Sequence, residues 1–140
     1  MSARVGNPQQ YTLASQTLGA GTGRVFSFNN PGWATLISIA VLYTATATVG
    51  NRVPVFDIKD GAGNVIWRGS LPSGNVTAGQ AFRFNIGAGL VTAAPFAAPL
   101  VGNIALPDGF ALPPLATLTV LDNAAVDNSD TVGGAVIVSN

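Results

Sequence analysis

The chain has 140 residues, 9% of them charged, a formal net charge of zero, and neither cysteine, histidine nor glutamate. Ordinary soluble domains carry about 25% charged residues, and a neutral chain gains nothing from phosphate attraction, so direct nucleic-acid binding is disfavoured. Without cysteine or histidine there is no thiolate or imidazole chemistry, and no disulfide to report the redox compartment.

The length fits one domain, able to bury roughly two-thirds of its unfolded surface without a staple. Lysine occurs once, at Lys59, beside abundant Thr, Val, Gly and Asn. Helix surfaces are normally dressed in Glu, Lys and Ala, so the composition predicts β structure throughout. Residues 1–10, "MSARVGNPQQ", carry no apolar stretch of the signal-peptide kind and are expected to form a flexible N-terminal arm ahead of one domain over 11–140.

The first predicted strand is "QYTLASQTLG", with Tyr11, Leu13, Ser15 and Thr17 on one face. "GAGTG" (19–23) turns the chain into a short second strand, "RVFSF" (24–28), and "NNPGW" (29–33) is dense turn chemistry. The run Thr35 to Val49 is the most hydrophobic stretch, too short for a spanning helix. Its first half is apolar on both faces. From Tyr43 onward Ala45, Ala47 and Val49 alternate with Thr44, Thr46 and Thr48, the period of a half-exposed strand. "GN" at 50–51 can reverse it into "RVPVFDIK", where Pro54 cannot donate to a ladder and so predicts an edge strand or a bulge. The turn Asp60-Gly61-Ala62-Gly63 leads back through "NVIWRG".

"LPSGNVTAGQ" (71–80) reads as a loop; its "NVT" fits a glycosylation acceptor, a pattern frequent by chance. "AFRFNI" (81–86) alternates with Phe82, Phe84 and Ile86 inward. "ATLTVLD" (116–122) and "TVGGAVIVSN" (131–140) supply the last strands. About eight strands without a helix predict an antiparallel β-sandwich or barrel. Gly87 to Pro114 stands apart: apolar, punctuated by prolines, charged only at Asp108. It is either a lid over the core, with a short strand near Asn103 to Leu106, or a contact surface in which Phe96, Leu100, Phe110 and Leu112 meet a neighbouring subunit.

Catalytic readings find little support. Six aspartates (57, 60, 108, 122, 127, 130) are the whole acidic complement. Asp60 is placed to cap its own turn, and Asp57 is expected to face solvent. "DNAAVDNSD" (122–130) gathers calcium-type oxygens, but no EF-hand spacing and no glutamate accompany it; a polar turn is the simpler account. The glycine clusters lack the following helix of a phosphate cradle. Trp33, Trp67, Tyr11 and Tyr43 could form an aromatic platform for sugar, although Trp67 alternates inside a hairpin strand and is expected in the core. No enzyme activity, cofactor or metal site is expected.

"NRVPVFDIKDGAGNVIWRG" followed by "LPDGFALPPLATLTVLDN" resembles small structural proteins of tailed-bacteriophage virions, in which an R-V-P-V strand, a D-G-x-G turn and a late L-P-x-G-[FW]-x-L-P segment recur in this order. The similarity spans Asn51 to Asn123. It implies a jelly-roll or related sandwich that decorates or cements a capsid exterior, often as a homotrimer, with the major capsid protein as partner and no membrane involved. It implies no catalytic residues. A carbohydrate-binding sandwich of a tail or fibre device is the alternative.

Overall fold

A computed structural model describes residues 8–17, 23–71, 76–92, 101–127 and 129–139. The described residues hold ten strands and no helix: β1 (Pro8–Thr17), β2 (Arg24–Ser27), β3 (Ala34–Thr44), β4 (Pro54–Lys59), β5 (Val65–Gly69), β6 (Ala81–Ala88), β7 (Val101–Leu106), β8 (Ala111–Leu112), β9 (Thr117–Asp122) and β10 (Thr131–Ser139). They form a six-stranded sheet in the order β1-β10-β3-β6-β7, with β8 also on β3, and a four-stranded sheet in the order β2-β9-β4-β5. With β7 and β8 set aside, first pairs with last, second with next-to-last, and so inward to β3 with β6 and β4 with β5, all antiparallel. That nested pairing is the double Greek key of a jelly roll.

Alternation in sequence becomes burial in space because successive strand residues face opposite sides. Phe82, Phe84 and Ile86 of β6 meet Phe56 and Ile58 of β4 between the sheets, all fully buried. The Phe56 and Phe84 rings lie 5.0 Å apart at 57°, and Phe82 stacks on Phe84 at 4.3 Å, arrangements that favour aromatic quadrupoles. Leu36, Ile39, Val41 and Tyr43 fill the core from β3, and Val132, Val136 and Val138 from β10. The step from Leu36 to Ile39 breaks strict alternation at a register shift opposite Ile137 and Val138, where Ile37 is the extra residue of a bulge.

Four features differ from the sequence expectation. Pro54 opens β4, which lies inside its sheet between β9 and β5; the first residue of a strand owes no ladder donor, so no edge is required. The Thr-Ala alternation after Tyr43 does not extend β3, which ends at Thr44; Thr46 and Thr48 instead turn their oxygens toward Arg52 and Asp127. Within Gly87 to Pro114 the short strand expected near Asn103 to Leu106 is present as part of the longer β7, but a second strand, β8, follows it, and β7 pairs with β6 in parallel. Leu106 and Leu112 close the core from this segment. Finally, the residues expected as an arm include Pro8 to Gln10, which pair with Ile137 to Ser139; residues 1–7 lie outside the described part.

Candidate interaction surface

The loops collect at the two ends of the sandwich, and the ends differ in chemistry. At the end where β3 stops and β4 starts, Arg52 and Asp130 form an ion pair with both side chains at 0% exposure. The guanidinium donates through Nε at 2.9 Å and Nη2 at 3.2 Å to the two carboxylate oxygens, and through Nη1 to the Thr48 and Gly50 carbonyls at 2.8 and 2.9 Å. Asp130 also accepts the Tyr43 hydroxyl at 2.8 Å and the Thr46 amide at 2.9 Å. Burial alone would raise this carboxyl's pKa; the Arg52, Thr46 and Tyr43 donors outweigh it and leave the acid below its ordinary value. Burial and the bond to Asp130 push the Tyr43 phenol far up.

Around this clasp the other acids are also saturated. Asp127 accepts the Thr46 and Thr48 hydroxyls and the Ser129 amide, and is held down to about 2. Asp122 accepts the amides of Val53, Ala124 and Val126. Among the described residues no group of three acidic side chains converges as metal ligands. Asp127 and Asp130, so filled with donors, are poor proton acceptors. Their geometry serves to tie the loops 45–53 and 122–130 to the sheets.

The opposite end is apolar and outward. Asn30, buried in its turn, donates from Nδ2 to the Pro113 carbonyl at 2.7 Å and to the Gly32 carbonyl at 3.3 Å, while its backbone carbonyl accepts the Leu115 amide at 2.8 Å. These bonds fasten the loop before β3 to the loop before β9. The hairpin tip rests on the same loops: a Cβ added at Gly61 would lie 3.0 Å from the Pro114 carbonyl and 3.3 Å from the Leu115 Cβ. The result holds Trp33 at 68% exposure and Leu115 at 66%. Leu115 sits at φ +61°, a left-handed conformation that leucine rarely takes. Such strain persists only where the surroundings over-determine it, and here Asn30 does so. Val91, Val65 and Ile66 are further exposed apolar side chains on the loops and strand of this end.

Of the four residues read from sequence as an interface, Phe96 and Leu100 lie outside the described residues. Phe110 is half-buried against the core, its carbonyl bonded to the Leu36 amide at 2.9 Å, and Leu112 is fully enclosed, part of the monomer's own packing. The four aromatics do not share a platform. Tyr43 is sealed in the core, Tyr11 and Trp67 are half-buried, and Trp33 is the exposed one. Trp67 curls over Gly69 and beside Ile104, where a Cβ at Gly69 would collide with its ring.

Asp57 is not solvated: it is 2% exposed, gripped by Arg68 Nε at 2.6 Å and Nη2 at 2.8 Å. Asp57 faces Arg68 directly in the β4–β5 register, so the signal was present in the hairpin pairing. Asp60 does cap its turn, accepting the Ala62 and Asn64 amides at 3.0 and 2.9 Å. The Asn75 of "NVT" lies outside the described residues.

No family model matches this chain, and no curated protein matches it. Among solved structures, a chain in the structure of the Gx strain of infectious bursal disease virus is similar at a TM-score of 0.37 with 11% identity, over 96% of this chain and 33% of that one. This chain thus spans about a third of the length of that neighbour.

Proposed function

We propose that this chain is a non-enzymatic virion structural protein, a decoration or cement protein that binds an outer capsid surface as a homo-oligomer, with a trimer as the expected state. Its partner is then the major capsid protein, and it is made in the host cytoplasm. The reading starts from the motif resemblance and is compatible with a jelly roll, an architecture used by viral capsid domains and also by lectins and cupins. Fold alone does not decide among those.

The observation that carries the reading is the apolar end: an exposed tryptophan and an exposed, conformationally strained leucine held in place by a buried asparagine. An exposed aromatic anchor on a rigid support is the usual centre of a protein contact. The lack of charge elsewhere fits the same role. The larger sheet carries one charged residue, Arg83, so little opposes close approach of a second protein surface. Many copies on one shell would hold through combined weak contacts, each tethered subunit benefiting from a high effective concentration.

The test is co-sedimentation of the purified protein with undecorated capsids, with Trp33→Ser and Leu115→Ser as variants. Both should unfold like wild type and bind at least tenfold more weakly, an anchor's contribution of about 1.4 kcal/mol or more. Unchanged binding in both variants removes this end from the docking surface. A monomer in sedimentation velocity at micromolar concentration counts against the trimer. Binding to a glycan array that disappears in Trp33→Ser would establish the carbohydrate-binding alternative instead.

A further inference from the structure

Arg24 opens β2, at the edge of the smaller sheet, and its side chain points inward beside Phe26. It is 4% exposed, and its Nε and Nη2 atoms meet no acceptor. These are the two atoms that form the side-on edge of a guanidinium. Two arginines that are paired use that same edge to grip a carboxylate: Arg68 on Asp57 and Arg52 on Asp130, each through Nε and Nη2. Arginine presents this planar fork to carboxylates as a matched pair of donors.

Among the described residues no aspartate is left to serve Arg24. There are six aspartates and no glutamate. Asp57 and Asp130 hold Arg68 and Arg52, Asp60 caps its turn, Asp122 takes three amides and Asp127 two hydroxyls. Asp108 follows β7, at the far end of the sandwich from Arg24. The ionisable neighbour whose field Arg24 feels is Tyr43, and that phenol is kept neutral by burial and by donating to Asp130. A buried charge with no partner is costly.

We propose that Arg24 is a receptor for a carboxylate brought by another molecule, bound side-on through Nε and Nη2 where β2 begins. The inference concerns chemistry at the polar end and stands apart from the docking role given to the apolar end. The carboxylate can be a free small acid or an acidic side chain of a partner protein, and two probes separate these: sodium acetate, and an end-blocked Gly-Asp-Gly tripeptide.

The experiment compares the full chain and Arg24→Met by thermal unfolding at pH 7, each probe against sodium chloride at matched ionic strength. In chloride the methionine variant should be as stable as wild type or more so, since it removes an unpartnered buried charge. The probe that fits should raise the wild-type midpoint by about 5–10 °C at saturation, as expected for a site filled a hundredfold above its Kd, and leave the variant unmoved. A response to acetate alone assigns a small acid; a response to the tripeptide assigns a partner's side chain. Equal responses of wild type and variant, or none to either probe, overturn the proposal. Should Arg24→Met fail to fold, the arginine Nε–H spectrum of wild type decides. One resonance should move downfield and saturate with the probe, and no movement overturns the assignment.

Discussion

Replacing Asp130 by asparagine puts the buried clasp to a quantitative test. One carboxylate oxygen accepts Tyr43 and Arg52 Nε, the other Thr46 and Arg52 Nη2. An asparagine of the same shape turns an NH₂ toward two of these four donors whichever way its amide is flipped. Each buried donor so stranded costs about 1–3 kcal/mol, and Arg52 loses its counter-charge at 0% exposure. Breaking a buried pair from one side costs about 3–5 kcal/mol. That is a large part of the roughly 5–15 kcal/mol holding a domain together, and for a chain of this size it lowers the midpoint by roughly 10–20 °C. Urea unfolding followed by tryptophan fluorescence measures it, with Arg52→Met and the double variant Arg52→Met/Asp130→Leu completing a cycle. The double variant should recover at least half of the loss, because apolar replacement of both partners removes the stranded charge. A loss under about 1 kcal/mol for Asp130→Asn, or a double variant as unstable as the sum of the singles, refutes the argument.

The same pair sets an acid limit: the folded pKa of Asp130 is lowered, so its stabilisation is complete above the unfolded value near 4 and disappears as pH falls through the folded pKa. Wild type should therefore lose stability below about pH 4, and the Arg52→Met/Asp130→Leu variant should show a shallower slope in the same urea titrations. Gly134→Ala should abolish folding, seen as loss of the β-sheet circular dichroism signal. Its Cβ would overlap the Ala40 carbonyl oxygen and lie 2.9 Å from that carbonyl carbon, on a central strand that cannot yield, at a backbone φ of +157°. Phe84→Ala empties the place where two aromatic contacts meet and should cost about 3–5 kcal/mol in chemical denaturation without altering assembly at matched folded fraction.

The period-2 stretches told most of the fold in advance, because a strand with one buried face writes its burial directly into alternation. Phe82, Phe84 and Ile86 are the clearest case, and the Asp60 turn is readable for a similar reason: its cap is local, completed within four residues. What escaped is non-local. Arg52 and Asp130 are 78 positions apart, and nothing near either residue announces a partner across the sandwich. Asp57 looks solvent-facing by alternation, and so it is by direction; Arg68 laid over it makes the difference. In the proline-rich segment only a short strand near Asn103 to Leu106 was legible, because β7 buries just two apolar side chains, Ile104 and Leu106, and because parallel pairing with β6 leaves no hairpin signature. Trp33 and Leu115 were both visible as letters, but their exposure depends on the Asn30 bonds that bring two distant loops together.

One consequence follows from where β10 lies. Flanked by β1 on one side and β3 on the other, it acts as a keystone, and until Thr131–Ser139 leaves the ribosome the larger sheet is split, with two long apolar borders unsatisfied. Pairings of such great sequence separation assemble slowly, which leaves the nascent chain exposed to sticking to its neighbours in that interval. Cells producing this protein in bulk therefore have most to gain from chaperones in the interval before β10 is made.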